Sequence, residues 1–317
     1  MWLFFTLATT LIWGLAELFY KKGALPDEKF AHLKITVWVG LVMGIHACFV
    51  LLTQDFTYNP MNLVRYLPVS LCYIVSMALS YFGMRFIEES ISDPIENTSG
   101  ALCSLLCVIF LGDRIGVPSV IAILIIVVGI LGIGFLENNG ETDRKKKLGK
   151  KMAVIAFAMP FCYAILDALG SFLDVYYLEA FEETLLENGE ILSTYTGPLL
   201  GADIDNIELV ANTSYELTFF AVSVILFIFM KIKGVKMEMP KQRDKIIAAV
   251  CETAGQFTYV YAMSGNGAIA APIISAVCVV SVLLSRIFLK EKLTWKQYVF
   301  VALVIIGILT LAVIEGE

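Results

Sequence analysis

The residues of this sequence that could do chemistry are carboxylates set inside long apolar stretches. Glu17 follows Trp13 by four positions and Asp167 follows Tyr163 by four, so on helices each acid shares a face with an aromatic ring. An acid beside a ring suits an organic ammonium or guanidinium, which the carboxylate pairs and the ring attracts by about 0.5 to 2 kcal/mol. A proton can compete with such a cation for one buried carboxylate, and that competition is a simple basis for exchanging one against the other. Two further acids join the candidates: Glu96, opening the run Glu96-Asn97-Thr98-Ser99 after Pro94, and Glu252, followed on its own stretch by Gln256 and Tyr259. Tyr81, on an earlier stretch, is expected to line the same cavity as Glu252 and Tyr259.

Each of these acids also has a plainer reading. Glu17 can pair with Lys21 one turn on, Glu96 can favour the start of a helix, and the tyrosines can be packing. The functional reading is preferred because a charged group in hydrocarbon costs at least about 2.5 to 3.5 kcal/mol. Asp93 and Asp174 lie nearer the ends of apolar stretches, Arg286 reads as snorkelling to an interface, and His46 reads as a satisfied buried imidazole. At 1.5 Å per residue, Glu17 stands roughly 22 Å from Trp2 and Asp167 the same distance from Met152. The two acids are therefore expected near opposite membrane faces, at two ends of one pathway.

The elements that must position these residues follow from composition. Of 317 residues, 58% are hydrophobic and 16% charged, against roughly a quarter charged in soluble domains; the chain reads as an integral membrane protein. Apolar runs able to cross about 30 Å of hydrocarbon fall at 2–20, 33–53, 67–87, 91–111, 117–136, 152–173, 217–232, 246–263, 268–289 and 294–314. A cleavable leader over residues 1–16 is the rival reading of the first run; it lacks a basic start, and the run has a counterpart in the second half. Of the 23 Lys and Arg residues, all but Arg65 and Arg114 sit at alternate connections. By the positive-inside rule this places both termini outside and the central linker in the cytoplasm, in a membrane expected to be the bacterial cytoplasmic membrane.

Residues 94–137 recur at 272–315: Pro94-Ile95 matches Pro272-Ile273, Ile109-Phe110-Leu111 matches Ile287-Phe288-Leu289, and Gly129-Ile130-Leu131 matches Gly307-Ile308-Leu309. The connecting turns differ, since Gly112, Arg114 and Pro118 become Lys290, Lys292 and Lys296. The copies are expected to face opposite sides. The expected fold is all-α: ten transmembrane helices as two inverted five-helix repeats, over 1–137 and 152–317, joined by a basic linker at 138–151. Inverted repeats of this kind typify secondary transporters, with the substrate at the repeat interface. Residues 174–216 break the symmetry. They hold ten carboxylates and no Lys or Arg, and are expected to form an acidic extracellular insertion that concentrates cations.

The seven cysteines all fall in apolar segments without a CxxC pair, so neither a disulfide framework nor a zinc or other metal site is expected. No HExxH, GxSxG or nucleotide-binding loop is present, which disfavours an enzyme or an ATP-driven pump; no cofactor and no nucleic-acid partner is expected. Gly40-x-x-x-Gly44 and the cluster Gly129, Gly132 and Gly134 permit close helix approach, within the bundle or between two copies, so monomer and homodimer both stay open.

Ile12-Trp13-Gly14 in the first run and the duplicated ending, Phe110-Leu111-Gly112-Asp113-Arg114-Ile115 and Phe288-Leu289-Lys290-Glu291-Lys292-Leu293, resemble the drug/metabolite transporter superfamily, in particular its EamA-type members with ten spans. The resemblance covers the chain apart from 174–216. It implies a central cavity between the halves and alternating access, with substrates among amino acids, nucleotide precursors, sugars, quaternary amines and drugs. Ala16-Glu17 is also similar to the essential glutamate of short multidrug exporters in that superfamily. The expectation is a secondary transporter of cationic or zwitterionic solutes coupled to a proton or other ion. A carrier of neutral nucleosides or sugars is the alternative, with a channel or receptor behind it.

Overall fold

The computed structural model describes residues 1–23, 28, 30–83, 95–137, 150–185, 191–288 and 294–315. The chain is almost wholly helical. Helix α1 spans Trp2–Gly23 and α2 spans Ala31–Thr53; a single turn, α3 (Asn62–Arg65), leads into α4 (Leu67–Gly83). Helix α5 (Ser99–Leu106) widens into a π turn, Cys107–Leu111, and ends at Gly112, whose φ of 79° suits a residue without Cβ. Then come α6 (Val117–Glu137), α7 (Lys150–Leu178), α8 (Ile207–Ile232), α9 (Arg243–Ile274), α10 (Val277–Phe288) and α11 (Trp295–Glu315).

Among the described residues, five stretches are long and apolar enough to cross a membrane: Trp2–Gly23, Ala31–Thr53, Ala158–Leu178, Ile207–Ile232 and Trp295–Ile314. Helices α9 and α10 form a bent pair, 48° apart, that passes the same test together. Within α9, Asn266 leaves helical geometry, at φ −170° and ψ 71°. The packing of α1 gives the consequence: Gly23 abuts Lys245, Trp13 abuts Gly255 and Trp2 abuts Gly265, yet Gly14 abuts Val280. The chain therefore runs up α1 as far as residue 265 and returns beside it, so the segments before and after Asn266 both lie along α1. This break falls between the runs 246–263 and 268–289 drawn from the sequence.

Four pairings organise the bundle: α1 with α9, α4 with α7, α2 with α8, and α6 with α11. Small residues set the close approaches. A Cβ on Gly40 would lie 2.6 Å from the Phe219 backbone oxygen, one on Gly44 2.4 Å from the Phe220 ring, and one on Gly129 2.4 Å from Val304. These glycines are used inside the chain, which accounts for them without a second copy. Large apolar side chains such as Phe4, Leu52, Ile121, Ile225, Leu309 and Val313 point outward, as lipid contact requires.

The stretch 174–216 differs from the loop expected of it. Helix α7 continues through Asp174 to Leu178, and α8 starts at Ile207, which lengthens the short run 217–232. Between them stands an antiparallel hairpin, β1 (Phe181–Leu185) paired with β2 (Ile191–Tyr195), the one pair of strands among the described residues. Tyr195 stacks edge-on against Phe181 and donates its hydroxyl to the Tyr177 carbonyl at 2.8 Å. Asn62 then holds Leu200 through both its amide groups, at 2.8 and 2.9 Å.

Several of the acids in this stretch turn inward. Glu179 accepts the Gly267 N–H at 2.9 Å and Glu208 accepts the Ser264 hydroxyl at 2.8 Å, so both brace the reversal at Asn266. Glu216 is buried on α8 and pairs with His46 of α2 at 2.8 Å, which supplies the imidazole's partner. Asp174 and Glu216 are buried because the helices that enter this stretch carry them into the bundle, while Glu182, Glu183, Asp203 and Asp205 are exposed.

At the basic end of the bundle, Glu28 bridges Lys34 of α2 and Lys245 of α9, each at 2.6 Å. Gln242 donates to Glu28 at 3.2 Å and accepts the Trp38 indole N–H at 3.2 Å. Burial pushes the Glu28 carboxyl upward, but the hydrogen bonds from Lys245, Lys34 and Gln242 outweigh it and hold the group below its ordinary value of 4.5.

Candidate functional site

Four helices each turn a stripe of residues, spaced three or four apart, toward one cavity of about 160 Å³. The stripes are Trp13, Glu17 and Tyr20 on α1; Tyr73, Met77 and Ser80 on α4; Tyr163, Asp167 and Ser171 on α7; and Glu252, Gln256 and Tyr259 on α9. Such spacing keeps side chains on one helix face. The turn before α5 and its first residues add Glu96, Asn97, Ser99 and Gly100, and α8 adds Tyr215. Gly100 is needed by close approach, since a Cβ there would lie 2.3 Å from the Ala271 carbonyl.

Hydrogen bonds fix the lining. The Asp167 carboxylate accepts from Ser99 and from Tyr163, so the acid and ring four apart on α7 do meet. On the other side Trp13 reaches across to α9: its indole N–H donates to the Glu252 carbonyl at 3.3 Å, and its ring stacks on Tyr259 with centroids 5.1 Å apart. Tyr20 donates to the Glu252 carboxylate at 3.3 Å, and Ser80 donates to Glu96 at 2.8 Å. Tyr73 and Tyr259 share a hydrogen bond of 2.6 Å.

The lining thus carries four carboxylates, Glu17, Glu96, Asp167 and Glu252, and six aromatic rings. Among the described lining residues there is no Lys, Arg or His. A chamber of this composition is electrostatically unbalanced: it attracts cations, offers π faces to their apolar parts, and can hold protons in their place. Among the described residues no three His, Cys, Asp or Glu side chains cluster to hold a metal.

Seven of the eight residues singled out from sequence, Glu17, Asp167, Trp13, Tyr163, Glu96, Glu252 and Tyr259, line this one cavity. Tyr81 stands on α4 and Arg286 on α10 with their side chains outside the described residues, and Asp93 and residues 138–149 of the linker lie outside them altogether. Glu17 and Asp167 were expected at opposite ends of a pathway and instead face a common chamber. Sequence reasoning missed Tyr73, Ser171 and Tyr215. Tyr73 was within reach, because Tyr73, Met77 and Ser80 repeat the spacing of Glu252, Gln256 and Tyr259.

The sequence profile of the EamA-like transporter family matches residues 1–135 and again 195–313, leaving the whole of α7 between the two matches. No curated protein matches the sequence. A solved crystal structure of a protein is similar at a TM-score of 0.71 over 99% of this chain and 96% of that one; at 12% sequence identity the likeness is one of fold.

Proposed function

Because the chain belongs to the EamA-like transporter family, membrane transporters of small solutes, we propose that it carries an organic cation by alternating access, coupled to protons. The observation that carries this reading is the cavity itself: four carboxylates and six rings, with no basic side chain among the described lining residues. A neutral nucleoside or sugar would make no use of the negative charge of that lining. A zwitterion would bring a carboxylate with no base to meet it, so a net cation is favoured over the amino acids. Glu17, Glu96, Asp167 and Glu252 pair with the cation or take up a proton in its absence. Trp13, Tyr163 and Tyr259 supply the π faces.

Support for two inverted repeats comes from the pairing of helices. If α1 corresponds to α7 and α4 to the first arm of α9, then exchanging the halves turns the α1–α9 pair into the α7–α4 pair, and both are observed. The pairs α2–α8 and α6–α11 are each carried onto themselves. The cavity is then the interface between repeats, where rocking of one half on the other exposes it to each side in turn. The distribution of Lys and Arg supports a cytoplasmic basic end and external termini, in a bacterial cytoplasmic membrane.

Flux in proteoliposomes tests the reading. A carrier gives saturable counterflow of labelled alkylammonium ions that unlabelled ions accelerate from the other side. A channel gives flux without acceleration, and a receptor gives binding without flux; either result refutes the proposal, as does counterflow confined to neutral solutes.

A further inference from the structure

We propose that Asp174 holds a proton that coupling requires in addition to those taken up by the cavity acids, at a site distinct from the cation-binding cavity and linked to it by a chain of hydroxyl groups. The inference rests on the cavity being a transport site. Asp174 lies on α7 two turns beyond Asp167, is fully enclosed, and does not line the cavity. Its two oxygens accept from different hydroxyls: Tyr66 donates to Oδ1, and Tyr73 to Oδ2 at 3.0 Å. The Tyr73 hydroxyl also lies 2.6 Å from that of Tyr259 and 3.2 Å from Ser171 Oγ, and Tyr259 lies 3.1 Å from Ser171. Tyr73, Ser171 and Tyr259 all line the cavity, and Tyr259 stacks on Trp13.

The groups around Asp174 separate a proton site from a structural acid. Its titratable neighbours are Tyr66 and Tyr73 on the α3–α4 side and Tyr259 on α9. Behind Tyr73 stand Tyr215 of α8 and Cys103 of α5, while Asp167 and Glu179 share its own helix. Among the described residues it forms no ion pair. Fixed cations, such as the lysines that hold Glu28, suit only the ionised form of a carboxylate. Hydroxyls both donate and accept. When Asp174 is ionised, Tyr73 spends its single hydrogen on Oδ2 and accepts from Tyr259. When Asp174 carries a proton, it donates to Tyr73, whose hydrogen then turns toward Tyr259 or Ser171. Protonation therefore reverses the direction of hydrogen bonds at the cavity wall without moving a helix, and no net charge enters the chain of hydroxyls.

The test compares two fluxes of the full-length protein in proteoliposomes, using labelled methyl-, butyl- and tetraethylammonium. Counterflow at equal pH on both sides needs the cavity alone; accumulation driven by a pH gradient needs the proton site as well. Asp174→Asn is expected to retain counterflow and lose gradient-driven accumulation. Tyr66→Phe, which removes a donor outside the cavity, is expected to retain counterflow and move the pH midpoint of accumulation upward, because the ionised form loses a hydrogen bond. Accumulation by Asp174→Asn at the wild-type level overturns the proposal, and so does a parallel loss of both fluxes in a folded variant. If Asp174→Asn does not fold, an unmoved midpoint in Tyr66→Phe overturns it alone. Absence of any counterflow in the wild type refutes the transport reading instead.

Discussion

Two groups of buried carboxylates in this molecule are balanced in opposite ways. At the basic end, Glu28 stands between Lys34 and Lys245 at 2.6 Å each, with Gln242 completing its shell. In the cavity, Glu17, Glu96, Asp167 and Glu252 share one chamber with hydroxyls and rings, and no basic side chain lines it among the described residues. Both groups are costly to bury. The first is offset by residues of the protein itself, so it reads as a clamp joining the α1–α2 connection to the start of α9. The second is lined by hydroxyls and rings, so it reads as a place for a charge that arrives and leaves. The difference is one of lining chemistry, and it can be broken by experiment.

The largest effect is expected at the clamp. Glu28→Ala leaves Lys245, which is fully buried, without its carboxylate, and loss of one partner of a buried pair costs about 3 to 5 kcal/mol. Thermal unfolding in detergent should shift down accordingly, while the folded fraction binds alkylammonium ions as the wild type does. A variant as stable as the wild type would erase the contrast between the regions.

Next in size is the cavity. Asp167→Asn removes a charge while keeping acceptors for Ser99 and Tyr163. It should weaken cation binding by about 1.5 to 3 kcal/mol, roughly 10- to 100-fold, measured by calorimetry. Its melting temperature should stay near that of the wild type, the reverse of the Glu28 pattern. Trp13→Leu should cost less, about 0.5 to 2 kcal/mol of cation affinity, and little for a neutral ligand of the same shape.

The smallest effect is a pH dependence of the clamp. The Glu28 carboxyl lies below 4.5 when folded and near 4.5 when unfolded. Its contribution to stability is therefore complete above that value and disappears as pH falls through the lower, folded one. Melting temperature followed from neutral pH into acid should show this step in the wild type, and Glu28→Gln should remove it.

Much of the cavity was legible in the sequence because a charged residue in an apolar run is conspicuous, and because spacings of four place acid and ring on one face. Trp13 with Glu17, and Tyr163 with Asp167, could be paired from their spacing alone. What could not be read was depth and partner choice. The spacing suggested that Trp13 would serve Glu17, yet its indole bonds across to α9. Asp174 and Glu216 were counted with an external acidic stretch because helix ends are poorly marked where polar residues continue the helical period, as they do along α7 and α8. The hairpin between those helices is anchored by Tyr195 and Asn62, and the Asn188-Gly189 pair between its strands is the turn signal that the sequence reading passed over.

The central claim is that the cavity recognises positive charge on an organic molecule and yields it to protons. The most direct measurement is calorimetric titration of the purified protein with alkylammonium ions and with their neutral carbon isosteres, near neutral pH and again in acid. Saturable binding of a cation, weaker in acid, with no binding of its isostere, is the result predicted. Equal binding of the isostere, or a cation affinity unchanged by pH, would contradict the account.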